Sequence, residues 1–155
     1  PEAESFQPVS KGRYLYLDGV RDPSNLGAIF RSAAAFDMDG VLCSSDCADF
    51  FHPKTIRGSA GACFGVPFLV KAEYVFNDEN WRPLSWVLLE ASGGALLTEL
   101  ESEEATVFVL GSEGVGVSEH CRCLPNVRSC TIPLCNSVES LNVAVTAALI
   151  SYISQ

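Results

Sequence analysis

The sequence predicts one α/β domain built on a mostly parallel sheet that is flanked by helices. Its 155 residues suit a single domain. Short unbroken apolar runs alternate with helical patterns, and such runs are typical of parallel strands buried on both faces. Polar or glycine-rich segments follow three of these runs. Since open parallel sheets bind ligands beyond the carboxyl ends of their strands, these segments predict one shared functional site.

Turn residues mark the ends of the elements in the first half of the chain. Asp18-Gly19 ends the first strand, and Asp22-Pro23 precedes the first helix, in which Asn25 is the candidate N-cap. Pro53 favours the first turn of a short helix. In order, the predicted elements are a strand at 14–17, a helix from Ser24 or Asn25 to about Phe36, a strand at 41–43, a short helix at 53–60 and a strand at 66–70.

The second half continues the same alternation. Gly93-Gly94 interrupts the chain, and Ser140 and Asn142 are candidate caps of the closing helix. The predicted elements are a loop at 77–83, a strand at 86–90, a brief helix at 96–100, strands at 106–110 and 128–132, and a closing helix from Glu139 to about Ile153.

The closing helix is apolar around its whole circumference, and a helix of this kind is buried on all sides. The sheet covers one side of it, and in a domain this small a second copy of the chain is the expected cover for the other. The sequence therefore predicts a homodimer through the C-terminal helix. The residues concerned are Leu141, Val143, Ala144, Val145, Ala147, Ala148, Leu149, Ile150, Tyr152 and Ile153.

The net charge of −9 is unusual for a protein that binds nucleic acid, because phosphates are normally met by a basic face. The charge is unevenly distributed, however. Two acidic runs, at 73–79 and 99–104, are predicted to be solvated loops. Arg21, Arg31, Lys54 and Arg57 all lie in the first part of the chain, near the first polar segment, and local charge can differ in sign from the total.

Composition limits the other classes of function. The 48% of apolar residues argue against disorder, and the longest apolar runs are too short to cross a bilayer. The seven cysteines lack the spacing of a zinc site, so we expect no metal and mostly buried, reduced thiols in the cytoplasm. Because the chain begins at Pro1 without a signal peptide, residues 1–13 are expected to be a linker or the remnant of an upstream segment, and 14–155 the domain.

Each polar segment has an ordinary structural explanation when it is taken alone. The glycines at 111, 114 and 116 reverse the spacing of a dinucleotide-binding loop, and no lysine follows them as a P-loop requires. Asn25, Glu113 and Asn142 are all suited to helix starts. Arg31 is different, because it lies on a helix of small residues where its guanidinium needs a partner or a phosphate.

Taken together, the segments resemble the three motifs of the SPOUT methyltransferases, specifically the TrmH family of tRNA and rRNA ribose 2′-O-methyltransferases. The resemblance runs from about Leu17 to Tyr152. It implies an α/β-knot fold with a deep C-terminal trefoil knot, and S-adenosylmethionine bound largely by backbone groups. The matching motifs are Asp22-Pro23-x-Asn25-x-Gly27-Ala28-x-x-Arg31, Leu110-Gly111-x-Glu113-Gly114-x-Gly116, and Ile132-Pro133 followed by Glu139-Ser140-Leu141-Asn142-Val143.

The resemblance also implies which residues form the site. The implied catalytic residues are Arg31, Asn25, Glu113, Ser140 and Asn142. The implied cofactor-binding residues are Leu110, Gly111, Gly114, Ile132, Leu134, Ser140 and Leu141. The reaction is attack of a ribose 2′-hydroxyl on the sulfonium methyl, in which Arg31 acts either as the base or as a clamp on the adjacent phosphate. An arginine pKa above about 12 makes the first role chemically awkward.

Three other functions stay open on the sequence. A knotted methyltransferase acting on a base nitrogen needs a different acid–base group, and an inactive RNA-binding homologue is disfavoured by the intact motif residues. A nucleotide enzyme on an ordinary doubly wound sheet needs a fingerprint that the chain does not contain. The leading prediction is a cytoplasmic, homodimeric methyltransferase domain with rRNA or tRNA as substrate and an RNA-recognition part outside the domain.

Overall fold

The computed structural model describes residues 6–100, 104–135 and 137–155 and shows helices packed on both faces of a parallel sheet. The strands are β1 (Arg13–Asp18), β2 (Gly40–Cys43), β3 (Phe68–Val70), β4 (Ser85–Glu90), β5 (Ala95–Leu96), β6 (Thr106–Gly111) and β7 (Val127–Thr131). The α-helices are α1 (Pro23–Ala35), α2 (Pro53–Ser59), α3 (Glu119–Arg122) and α4 (Val143–Ile153). The predicted α/β class, a parallel sheet flanked by helices, is confirmed.

The sheet has the order β3-β2-β1-β6-β4-β7-β5, and every pairing between these strands is parallel. The central strands are buried on both faces, as their continuous apolar sequences require. In the β1–β6 register, Asp18 pairs with Gly111. The carboxyl ends of these two strands therefore lie side by side, which brings the first two polar segments together.

Two apolar cores lie on opposite faces of the sheet. One core joins Leu15, Leu17 and Phe108 of the sheet to α1 and α4. The other joins Tyr16 and Val109 to the 3-10 turn at Ala72–Phe76 and to α3. Both faces are covered within the described residues, so the long apolar strands need no other partner.

The N-cap of helix α1 lies three residues before the predicted cap, Asn25. Asp22 is the N-cap, and its Oδ1 accepts a hydrogen bond from the Ser24 backbone N–H at 2.7 Å. Pro23 occupies the first turn, where its missing N–H costs nothing. The prediction that Asn25 caps the helix is wrong, and the side chain of Asn25 is used elsewhere.

Helix α1 packs against α2 through glycines at the point of closest approach. A Cβ atom on Gly27 would lie 2.4 Å from the Thr55 carbonyl oxygen and 2.9 Å from the Ser59 backbone nitrogen. On the α2 side, a Cβ on Gly58 would lie 3.5 Å from the Cα of Gly27. The helix backbones are thus in direct contact, and only glycine fits at 27.

Gly27→Ala is expected to lower the free energy of unfolding by about 2 kcal/mol, the usual cost of overpacking. The clash with two backbone atoms outweighs the gain in helix propensity, which is about 1 kcal/mol. Urea unfolding of both proteins measures the difference. Gly65→Ala is the matched control, because its new Cβ meets only the Ala62 carbonyl oxygen at an ordinary 3.6 Å. A Gly27→Ala protein as stable as the original would contradict this packing.

Helix α4 starts at Val143, four residues after the predicted start at Glu139. Asn142 is its N-cap, as predicted, and its Oδ1 accepts from the backbone N–H groups of Ala144 at 2.9 Å and Val145 at 3.4 Å. Ser140, the other candidate cap, lies before the helix and does not cap it.

The apolar surface of α4 is only partly covered within one chain. Ala147 and Ile150 are buried, whereas Tyr152 is 61% exposed and Val145 is 48% exposed. The single chain thus covers one side of the helix and leaves the other exposed, which is the arrangement from which a second copy was predicted. The second copy expected to cover this face stays a prediction.

Smaller differences concern weakly patterned segments. The strand predicted at 66–70 is confined to Phe68–Val70, and the segment after it forms a 3-10 turn at Ala72–Phe76 that was not predicted. The brief helix predicted at 96–100 is a 3-10 turn at Leu97–Glu99, preceded by β5. The predicted strand at 128–132 is shifted by one residue.

The seven cysteines are all free thiols, four of them buried. Cys123 and Cys135 are exposed, and the expectation that most of the thiols are buried holds for the four that are buried. Cys47 is half-buried and its Sγ lies 3.2 Å from the Leu17 carbonyl oxygen. A hydrogen bond from the Cys43 thiol, more than any other contact, lowers the pKa of Cys47 to about 7.

In the described part of the chain, no helix has the length and apolarity needed to cross a membrane.

Candidate active site

A cleft of about 420 Å³, here called the large cleft, opens at the carboxyl ends of β4, β6 and β7. The ends of these three strands and the loops that follow them form it, which is the position that parallel α/β sheets use for ligands. All seven predicted cofactor-binding residues line it. These are Leu110, Gly111, Gly114, Ile132, Leu134, Ser140 and Leu141.

The floor of the cleft is shaped by the loop that follows β6. The loop folds back on itself, and the Gly116 backbone N–H donates to the Ser112 carbonyl oxygen at 2.9 Å. A Cβ on Gly111 would lie 2.1 Å from the Gly116 carbonyl carbon and 2.3 Å from the Val117 nitrogen. Gly114 and Gly116 have φ of 81° and 77°, where L-residues are strained. The loop therefore requires glycine at 111 for space and at 114 and 116 for conformation.

Three of the predicted catalytic side chains form one hydrogen-bonded group, here called the amide–carboxylate cluster: Asn25, Glu113 and Asn142. The Nδ2 group of Asn25 donates to Glu113 Oε1 at 3.1 Å. The Nδ2 group of Asn142 donates to the same oxygen at 3.2 Å and to Asn25 Oδ1 at 3.1 Å. The cluster thus ties the start of α1, the loop after β6 and the cap of α4 together at one point.

The cluster holds Glu113 through one of its two carboxylate oxygens. Two amide N–H groups point at Oε1. Asn142 has no freedom to turn its amide over, because its Oδ1 is occupied in capping α4. The orientation of the whole cluster is therefore fixed by the start of that helix.

Asn142→Ala is expected to lower the free energy of unfolding by about 1 kcal/mol, the typical cost of losing an N-cap side chain. Asn142→Ser is the matched variant, because serine caps helices as well as asparagine but has no amide to give to Glu113. Chemical denaturation should separate the two proteins, with the serine variant close to the original. Equal losses in both would mean that the cluster, and not the cap, stabilises this helix.

The structure does not bring Arg31 and Ser140 into the cluster. Arg31 lies nearly two turns beyond Asn25 on α1, is exposed, and forms no hydrogen bond or ion pair among the described residues. Ser140 lines the large cleft but makes none of the cluster's hydrogen bonds. Within the single chain, three of the five predicted catalytic residues meet.

A second cleft, of about 390 Å³, lies on the other side of the amide–carboxylate cluster. It is lined by the end of β1, the start of α1 and the same loop that floors the first cleft. Ser112, Glu113, Val115, Gly116 and Val143 line both clefts. Glu113 therefore stands at the boundary between two adjoining cavities, a place where groups bound on either side would meet.

Sequence reasoning missed an ion pair at the rim of the large cleft. The Arg122 Nη2 group donates to Glu90 Oε2 at 3.1 Å, and Arg122 Nη1 donates to Glu90 Oε1. The hydrogen bonds that Arg122 donates to Glu90 raise the pKa of Arg122 further above its usual value. Glu90 is the last residue of a parallel strand, and that position was the available signal. Val143 and Thr146 of α4 also line the cleft and were not predicted.

The charges around the large cleft are mainly negative. Glu90, Glu113 and Glu139 line it together with a single described cation, Arg122. Beside these carboxylates the lining consists of glycines and aliphatic side chains, so backbone groups supply most of the polar contacts. Such a cleft suits a cationic ligand with a substantial apolar portion.

Residues 12–152 of the chain match the sequence model of the SpoU rRNA methylase family. A relative from Bacillus subtilis, named a 23S rRNA guanosine 2′-O-methyltransferase, RlmP, is 33% identical over 141 residues. That alignment covers 90% of this chain and 56% of the relative. An uncharacterised tRNA/rRNA methyltransferase of Mycolicibacterium paratuberculosis is 36% identical, over 86% of this chain and 44% of its own length. The chain spans about half the length of the curated relatives that it matches.

Solved structures agree with this assignment. The SpoU methyltransferase AviRb of Streptomyces viridochromogenes, crystallised with AdoMet, superposes with a TM-score of 0.88 at 26% identity. The alignment covers 99% of this chain and 61% of that one. A structure described as a TrmH-family RNA methyltransferase from Porphyromonas gingivalis gives a TM-score of 0.84 at 33% identity, over 98% and 62% of the two chains. The chain belongs to the SpoU rRNA methylase family.

Proposed function

We propose that this chain is the catalytic domain of an RNA 2′-O-methyltransferase that uses S-adenosylmethionine. One observation carries the proposal: a glycine-floored cleft meets the amide–carboxylate cluster at Glu113. The named activity of the Bacillus subtilis relative and the AdoMet complex of the Streptomyces protein support it. The proposed acceptor is a ribose of rRNA or tRNA, in the cytoplasm.

The residues that line the large cleft fit S-adenosylmethionine. The volume of the cleft is within the range of small-molecule sites. Leu110, Ile132, Leu134 and Leu141 would contact the apolar parts, and Gly111 leaves the backbone open on the floor. The excess of carboxylates matches a ligand that carries a positive sulfonium. When bound, the cofactor supplies the electrophilic methyl group.

The amide–carboxylate cluster is proposed to orient the acceptor hydroxyl. Asn25 and Asn142 occupy Oε1 of Glu113, so Oε2 is the oxygen that would accept the hydrogen of a ribose hydroxyl from the second cleft. Transfer in line with the hydroxyl needs alignment and loss of its proton. A carboxylate whose orientation is fixed by two amides contributes to both.

Arg31 is proposed to grip the phosphate next to the acceptor ribose. Its guanidinium is exposed and carries no anionic partner among the described residues. A planar guanidinium binds phosphate through two parallel hydrogen bonds, and it stays protonated at neutral pH. The phosphate clamp is therefore favoured over the role of general base.

We further propose that the active form is a homodimer through α4. The exposed apolar side chains of Val145, Tyr152 and Ile153 lie on one helix, and α1, which carries Arg31, packs beside it. Burial of this surface would place Arg31 near the contact between copies. Sedimentation equilibrium tests it, and Val145→Glu is expected to yield a folded monomer.

The remaining parts of the proposal follow the family resemblance. The trefoil knot would be formed by the segment from β7 to α4, and residues 1–13 would link the domain to an RNA-recognition part. A protease-protection assay on the C-terminal segment measures how tightly it is held.

Calorimetric titration with S-adenosylmethionine and S-adenosylhomocysteine tests the cofactor assignment, with NAD and ATP as controls. Saturable binding of the first two alone supports it. Transfer of a labelled methyl group to total rRNA or tRNA, followed by mapping of the ribose or base position, tests the chemistry. Methyl groups on base nitrogens would support the alternative base-modifying enzyme, and binding without any transfer would support an inactive homologue.

A further inference from the structure

One stretch of this acidic protein is free of carboxylates. The chain contains 19 aspartates and glutamates, yet none lies between Phe50 and Ala72. The same stretch contains His52, Lys54 and Arg57, which are all exposed. Helix α1, which packs on α2, has Arg31 as its one charged residue. The surface formed by these two helices is therefore basic in a chain whose net charge is −9.

Two aromatic side chains project from the same stretch. Phe64 is 65% exposed and Phe51 is 47% exposed. Both rest edge-on against buried Phe50, with ring centroids 6.1 Å and 4.9 Å away. Phe50 in turn stacks on Phe68 at 3.8 Å, so the exposed rings stand on a rigid aromatic base. Exposed rings held in this way are available for stacking on a ligand, and they contribute little to the stability of the chain's own core.

The basic and aromatic groups lie beside the proposed catalytic arginine. Gly27 and Gly58 mark the contact of the two helices. Arg31 lies one turn beyond Gly27 on α1, and Arg57 directly precedes Gly58 on α2. A strand of RNA that is gripped at Arg31 would thus pass over α2.

We propose that this surface, the basic aromatic face (Phe51, Phe64, His52, Lys54 and Arg57), binds single-stranded RNA next to the methylated nucleotide. Base stacking on Phe51 and Phe64 and phosphate contacts from Lys54 and Arg57 are the two components that unpaired RNA requires. Asp49 marks one edge of the face, where its Oδ1 accepts from the Phe51 N–H at 2.9 Å. The inference rests on the proposed function, because it places the RNA by means of Arg31.

Charge complementarity selects RNA over a second copy of the chain. The net charge of −9 means that most of this protein's surface carries carboxylates. The face described here carries none, and it lies next to an arginine, so it attracts the closely spaced phosphates of RNA more strongly than the surface of a second copy. Stacking on exposed phenylalanines adds affinity that does not depend on base sequence. The face is therefore suited to unpaired nucleotides of mixed sequence.

The test is fluorescence anisotropy with a labelled single-stranded RNA of about 12 nucleotides and an abasic strand of equal length. Phe51→Ala/Phe64→Ala is expected to weaken binding of the RNA by about 10-fold or more and to leave the abasic strand unaffected. Lys54→Ala/Arg57→Ala should weaken both strands and reduce the slope of log affinity against log salt by about 1.4. Tyr74→Ala/Arg82→Ala, a matched exposed pair on segments that pack on the opposite face of the sheet, should change neither.

Cofactor titration of each variant separates failure of this face from failure of the proposed function. Variants that bind S-adenosylmethionine normally but lose RNA support the proposal. Unchanged RNA binding by the double phenylalanine variant overturns it, and so does a shift of that variant to a different oligomeric state. A wild-type chain that binds cofactor but no RNA overturns the face alone, whereas one that binds RNA but no cofactor overturns the proposed function.

Discussion

Gly111→Ala is expected to weaken the binding of S-adenosylmethionine by at least about 100-fold, or about 3 kcal/mol. The new Cβ would lie 2.1 Å from the Gly116 carbonyl carbon and 2.4 Å from the Gly116 carbonyl oxygen. Both neighbours are backbone atoms, so the loop has to open for the methyl group to fit. Opening displaces the floor of the cleft and also Glu113, which lies in the same loop. Calorimetric titration of the two proteins measures the loss.

Gly114→Ala is the matched control in the same loop. Its Cβ would meet nothing within 4 Å, but its φ of 81° carries the left-handed penalty of about 1 kcal/mol. We expect a loss of affinity of about 5-fold from this strain. If Gly111→Ala bound the cofactor as tightly as Gly114→Ala, the contact between Gly111 and Gly116 would have no part in the site.

The strands were predictable because their signal is local. Residues 14–17 and 107–110 are unbroken apolar runs, and burial on both faces is what such runs require. The order of the strands was not predictable, because it depends on which strand each later strand pairs with, and the local sequence does not specify that partner. The ion pair between Glu90 and Arg122 was missed for the same reason, since it joins the end of β4 to α3, and those elements meet only through the order of the strands.

The helix starts show where residue preferences are ambiguous. Asp22 and Asn25 are equally good caps by type. The residue that decides between them is Pro23, which belongs in the first turn and so makes Asp22 the cap. At α4 the apolar pattern reaches back to Leu141, but Asn142 is the N-cap, so the helix begins at Val143. Ser140 and Leu141 therefore lie before the helix, where they line the cleft.

The candidate site was predicted only from the three motifs taken together. No single residue of the amide–carboxylate cluster identified it, because each is an ordinary residue at a helix start or loop. The motif resemblance placed all seven cofactor-binding candidates, and the structure finds them along one cleft. Contacts made by backbone leave little trace in side-chain chemistry, so periodicity and charge alone did not reveal the cleft.

Arg31→Ala is expected to reduce methyl transfer by about 100- to 1,000-fold, the usual cost of removing one group that stabilises charge in the transition state. Its cofactor affinity and its stability should be unchanged. The side chain is exposed, lines neither cleft and forms no hydrogen bond in the described part of the chain. Single-turnover methyl transfer to RNA, measured beside cofactor titration and chemical denaturation, checks all three expectations.

Arg31→Lys distinguishes the two roles of this arginine. Lysine keeps the charge but not the planar fork, so a phosphate clamp should be partly rescued, with a raised KM for RNA and a modestly lowered kcat. A general base should behave differently, because a lysine loses its proton more readily and would shift the pH profile of kcat to lower pH. Retention of more than about a tenth of the activity in Arg31→Ala would contradict both roles. The transfer would then depend on Glu113 and its two amide partners, and Glu113→Gln would become the deciding variant.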